Sequence, residues 1–134
     1  MEDQRPRYEY PDMDLVFSLS DLYFKKENIF MPLLHRPTFE RSIKEGLHLQ
    51  DHMFGAMVLL VCALGARHSD DPKVFLEGTN DTHSAGWKWF RQVDLLRHKN
   101  FLFAPSLYEL QAYCVRSRPL MRDLTQVTSR IVSY

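Results

Sequence analysis

The sequence predicts an all-α fold, an irregular bundle of about five or six helices around a central apolar helix. Three observations predict it. Apolar side chains recur with a 3.6-residue period along most of the chain. No stretch alternates apolar and polar residues between hairpin turns, and no repeat of solenoid length is present. The run MFGAMVLLVCALGA, residues 53–66, is apolar on nearly every side, so other helices have to enclose it. At 134 residues the chain is about one domain long, enough to bury roughly two thirds of the surface its unfolded form exposes.

The first dozen residues, MEDQRPRYEYPD, mix charges with two prolines and lack the apolar stretch of a secretory signal, so residues 1–11 are expected to form a disordered lead. A first helix begins near Asp12 or Asp14. Leu15, Val16, Leu19, Leu22 and Tyr23 form its buried face, and Lys25, Lys26 and Glu27 its polar end. Pro32 stops it, and PLLHRPTF, residues 32–39, reads as a hydrophobic corner between two prolines. Thr38 is positioned to cap a short helix that runs through Ile43 and stops at Gly46, with Phe39 and Ile43 on one face. His35 is expected there as a buried or hydrogen-bonded side chain.

Asp51 supplies the N-cap of the central helix, His52 to about Arg67. A glycine inside a helix costs about 1 kcal/mol relative to alanine, so Gly55 and Gly65, with Ala56 and Ala63, point to close approach by neighbouring helices. The segment RHSDDPKVFLEGTNDTHS is rich in turn formers and is expected to be the longest loop, interrupted by one turn around Lys73–Leu76. From Thr82 or Ser84 a helix of about four to five turns is expected to place Ala85, Trp89, Phe90, Val93 and Leu96 on one face. Ser106 and Glu109 match a capping box for a further helix whose stripe is Leu107, Leu110 and Cys114. Beyond Pro119, Leu120, Leu124, Val127 and Ile131 align as an amphipathic helix.

Composition excludes several functions. Seventeen basic residues balance seventeen acidic ones, which leaves no positive field for a phosphate backbone. The longest apolar run, about 14 residues, is short of the roughly 20 that a membrane span needs. Cys62 and Cys114 both lie in apolar helical patterns, where a free thiol acts as a small core hydrophobe, and a reducing compartment fits.

Few residues offer chemistry. His48 and His52 have the four-residue spacing of a metal-binding pair, but the Asp51 cap separates them and no third ligand is near in sequence. Asp70 and Asp71 are adjacent turn acids before a proline. His83 and Ser84 are neighbours without the geometry of a base and nucleophile, and a helix cap accounts for Ser84. Trp87, Trp89 and Phe90 are able to stack on a ligand, but a helical core face explains at least two of them. No phosphate-binding glycine loop, nucleophile elbow or HExxH pair is present. The reading assigns no catalytic, cofactor-binding or metal-ligating residue.

LYFKKENIFMPLLHRPTFERSIKEGLHLQDHMFGAMVLLVCALGARHSDDP, then HSAGWKWFRQVDLL and PSLYELQAYC, together resemble the start of the fungal-specific transcription factor domain. In fungal regulators, xylanolytic-activator-like proteins among them, this regulatory region follows a binuclear zinc cluster that binds DNA. The resemblance runs from about Leu15 to Cys114 and is most specific at Phe30, at Pro32–Phe39 and in LLVCALGARHSDDP. It implies a non-catalytic, nuclear segment that controls DNA-templated transcription through protein partners of the transcription machinery or through self-association.

The sequence departs from the family pattern in two places. A binuclear zinc cluster takes six cysteine thiolates, and this chain has two cysteines far apart; zinc and DNA binding are thus expected in a module missing from this chain. After Cys114, VRSRPLMRDLTQVTSRIVSY leaves the pattern, so residues 12–118 are expected to form the N-terminal part of the regulatory domain and 119–134 a divergent tail. Such a shortened domain would expose several hundred Å² of apolar surface at about 25 cal/mol per Å², which predicts marginal stability or self-association. The alternative is a small helical enzyme or ligand-binding protein that uses His35, His48, His52 or His83 with nearby acids.

Overall fold

The structure is a computed structural model that describes residues 7–75, 84–93, 107–121 and 124–125. Among these residues are six α-helices, α1 (Met13–Lys26), α2 (Arg36–Lys44), α3 (Leu47–Gln50), α4 (His52–Ala66), α5 (Trp87–Phe90) and α6 (Leu107–Arg116), with a 3-10 turn at Pro72–Val74 and no strand. The all-α expectation holds, and α4 packs against α1, α3, α5 and α6.

Asp51 starts α4 as expected, its Oδ1 accepting from the amides of Met53 at 3.0 Å and Phe54 at 3.1 Å. Every residue from Phe54 to Ala66 is buried. An alanine Cβ at position 65 would lie 2.8 Å from the carbonyl carbon of Leu19 and overlap its oxygen, so glycine is what lets the α1 backbone lie directly on α4. The inner face of α1 is Leu15, Val16, Leu19, Ser20, Tyr23 and Phe24. It includes Phe24 where the periodicity favoured Leu22, which is half-buried. Aromatic rings then cross the bundle from α1 through α2 and α4 to α6, with centroids 5.5 Å apart for Phe24–Phe39, 5.9 Å for Phe39–Phe54 and 5.3 Å for Phe54–Tyr108.

Three expectations are corrected. α2 begins at Arg36, with Pro37 inside its first turn, so Thr38 is a helical residue and not the cap. Proline is tolerated there because the first-turn amides have no intrahelical partner in any case. The long helix from Thr82 or Ser84 is replaced by the four-residue α5. Gly86 has φ 84°, a left-handed conformation that a helix running through it could not contain, and Arg91 and Gln92 already form a turn. On α6 the buried face is not Leu107–Leu110–Cys114: Leu107 is 66% exposed, while Ala112 and Val115 are fully buried and Tyr108 packs beside them. Both stripes are apolar at helical spacing, and small Ala112 is the one that admits close packing. Arg7–Pro11 lies as a strap against α3 and α4, as shown below.

The expected turn around Lys73–Leu76 is found as Pro72–Val74. Met121 and Leu124, in the expected divergent tail, are buried in the core. Leu76, Thr82, His83, Leu96, Ser106, Val127 and Ile131 lie outside the described residues.

Candidate functional site

Among the described residues, the histidines and acids singled out by spacing do not converge. His35 is exposed at the corner before α2 and pairs through Nδ1 with Thr38 Oγ1 at 2.8 Å. His48 lies in α3, separated from His52 by the Asp51 cap. Asp71 accepts the Lys73 amide at 2.9 Å and shapes the Pro72–Val74 turn, and its neighbour Asp70 is exposed. Ser84 is buried at 3% exposure, out of reach for a substrate.

What α3 and α4 do with their histidines is hold the strap. Tyr8 stacks on the His52 ring with centroids 4.4 Å apart, and its hydroxyl lies 2.7 Å from His52 Nε2. Tyr10 donates to the His48 carbonyl at 2.8 Å and packs edge-on against the His48 ring. The hydroxyl of Tyr10 occupies the space a Cβ on residue 55 would need and the His48 carbonyl of α3 lies 2.9 Å from it, so Gly55 seats both the strap and the neighbouring α3 backbone. Burial holds the His48 imidazole below its ordinary pKa, and its buried Nδ1 has no hydrogen-bond partner among the described residues. Burial likewise raises the Tyr10 hydroxyl. A third tie joins strap to α5: the Glu9 amide donates to Gln92 Oε1 at 2.7 Å while Gln92 Nε2 donates back to the Glu9 carbonyl at 2.9 Å.

Two polar clusters that spacing could not reveal fix the helix ends. Asn28 organises the PLLH corner: its Oδ1 accepts from the amides of Leu33 and Leu34 at 3.1 and 3.2 Å, and its Nδ2 donates to the Leu34 carbonyl at 3.1 Å. Gln111 of α6 donates to the Leu33 carbonyl at 3.0 Å, which ties the corner to the bundle. Next to it, Glu27 ends α1 with a side chain 8% exposed. A carboxylate is unfavourable at a helix C-terminus. Here it is offset by Arg118, whose Nε and Nη2 lie 3.1 and 2.9 Å from Oε2, and by His68 Nε2 at 2.9 Å from Oε1. The ends of α1 and α4 and the segment after α6 are thereby joined at one point.

The described residues also line a cleft of about 450 Å³ between the strap and α5. Glu9, Tyr10, Pro11 and Asp12, with Leu15 of α1, make one wall; Trp87, Lys88, Trp89, Arg91 and Gln92, with Lys73, make the other. The Arg91 guanidinium lies over the Trp87 ring at 5.2 Å and the Lys88 ammonium over the Trp89 ring at 5.0 Å.

Compared with known families, residues 20–117 match the fungal specific transcription factor domain, which is most of the chain. The chain belongs to that family. No curated protein and no solved structure matches it. The fungal specific transcription factor domain is a non-catalytic regulatory domain, and membership gives the chain a role in transcription regulation. Inside the matched segment lie α2 to α6, the Asn28 corner and the basic wall of the cleft; the strap precedes it.

The zinc associated with the family's DNA-binding module does not fit this chain. Cys62 is fully buried in α4 with its thiol pushed up to about 12 by desolvation, and Cys114 is half-buried on α6. Among the described residues, no group of three or more His, Cys, Asp or Glu side chains is placed to hold a metal ion. Among the same residues no helix is long and apolar enough to cross a membrane.

Proposed function

We propose that the chain is a regulatory, non-catalytic segment of a fungal transcription factor that works in the nucleus and acts through protein contacts. Zinc and DNA binding are assigned to a module outside these residues, with no catalytic, cofactor-binding or metal-ligating residue within them. The observation that carries this reading is the family match over residues 20–117, and the balanced charge of the chain agrees with a division of labour in which another module reads DNA. The packing supports it too: among the side chains singled out for chemistry, His35 bonds Thr38 at the corner before α2, Asp71 accepts from the amide of Lys73 in its turn, and His48 and His52 hold the strap.

The test is transplantation. Fused to an unrelated DNA-binding module, the chain should change output from a reporter carrying that module's site, and Leu60→Ala in α4 should abolish the change by unfolding the domain. Catalytic turnover by the purified chain, lost on substitution of one polar residue such as His35 or Asp70, would contradict the proposal.

A further inference from the structure

The charges lining the cleft are sorted by wall. Glu9 and Asp12 lie on the strap side, and Lys73, Lys88 and Arg91 on the opposite side. Among the described residues no ion pair links the two sides; the walls are joined instead by the neutral pairing of Gln92 with the Glu9 backbone. Asp12 precedes α1 without using its carboxylate as a cap. Between the charged groups, Leu15 and Trp87 supply apolar surface.

From this arrangement we propose that the cleft binds a zwitterionic amino acid or dipeptide with an apolar side chain. Its ammonium group faces Glu9 and Asp12, its carboxylate faces Lys73, Lys88 and Arg91, and its side chain lies against Trp87. A simple anion such as a phosphate would meet two carboxylates, and a simple cation would meet three basic groups. Only a dipolar molecule satisfies both walls, and the volume falls in the range of about 300–1,000 Å³ found for small-molecule sites. One wall belongs to the matched family domain and the other to the strap that precedes it, so an occupant would bind the two together. The inference goes beyond the regulatory reading and is tested without it.

Trp87 and Trp89 are the only tryptophans in the chain, so intrinsic fluorescence reports on this cleft directly. The probes are L-phenylalanine and glycyl-L-phenylalanine, compared with 3-phenylpropanoate, which lacks the ammonium, and phenethylamine, which lacks the carboxylate. At least one zwitterion should shift the fluorescence saturably and give a calorimetric binding signal. Each single-charge analogue should bind about tenfold more weakly, the consequence of losing one charge-assisted contact. Asp12→Asn should weaken the zwitterion about tenfold and leave 3-phenylpropanoate unchanged; Arg91→Gln should weaken both and spare phenethylamine. Circular dichroism confirms that each variant is folded. If neither zwitterion binds the folded chain at millimolar concentration, or if 3-phenylpropanoate binds as tightly, the proposal is overturned, while the regulatory reading, measured by reporter output, is left intact.

Discussion

Replacing Gly65 with alanine sets two effects of opposite sign against each other. In an isolated helix the change stabilises by about 1 kcal/mol. Here the new Cβ would sit 2.8 Å from the Leu19 carbonyl carbon and 3.2 Å from its Cα. Ordinary contact begins at 3.4 Å, so α1 has to withdraw by roughly 0.6 Å or more, and because the obstacle is backbone no rotamer change relieves it. Overpacking of a close-packed interior costs about 1–3 kcal/mol, and an unyielding neighbour puts this site near the upper end. The net expectation is a loss of about 2 kcal/mol, equivalent to a fall in Tm of about 7 °C for a domain of this size. Urea titration followed by circular dichroism measures it. An unchanged or higher midpoint in Gly65→Ala would show that α1 does not lie on α4 as described.

Three other outcomes test separate parts of the account. Glu27→Ala should cost about 3 kcal/mol, because it strips the charge partner from Arg118 and a hydrogen-bond partner from His68 at a largely buried point; a urea-derived change below about 1 kcal/mol would mean the cluster is a surface pairing. Thiol labelling of the native chain should modify Cys114 and spare Cys62, whose thiol is buried and pushed up to about 12; equal rates at the two cysteines, read by mass spectrometry, would contradict the enclosure of α4. Burial depresses His48 below its unfolded value of about 6.5, so its stabilising contribution is complete above that pH and is lost as pH falls through the lower folded value. Wild-type protein should therefore lose more stability than His48→Leu between about pH 7 and pH 5, and identical losses would show that the ring is not desolvated.

The central helix was readable because nothing in 53–66 competes with its apolarity, and Asp51 marks its start by a local bond that spacing alone identifies. Leu15, Leu19, Phe39 and Ile43 were readable for the same reason, as partners at helical period. The α6 face was not, since Leu107–Leu110–Cys114 and Tyr108–Ala112–Val115 are equally periodic. The choice depends on which ridge fits α4 and where Gln111 meets the Leu33 carbonyl. The α5 segment misled because the helical stripe through Ala85 and Trp89 crosses a glycine whose φ is set by its packing against the Ala63 backbone. Nor could local pattern show that Tyr8 and Tyr10 dock 44 and 38 residues away, or that Glu27 meets Arg118 across 91 residues. The cleft was half visible: Trp87 and Trp89 stood out as stacking candidates, but the acidic wall comes from a segment that reads as a polar lead.

Hydrogen exchange along α4 tests the enclosed central helix most directly. Amides from Val58 to Leu64, in the fully buried part of the helix, should exchange only through global unfolding and share one free energy with the urea-derived stability. Exchange of these amides well before global unfolding, at rates like those of the exposed corner around Phe30, would show that the surrounding helices do not enclose α4.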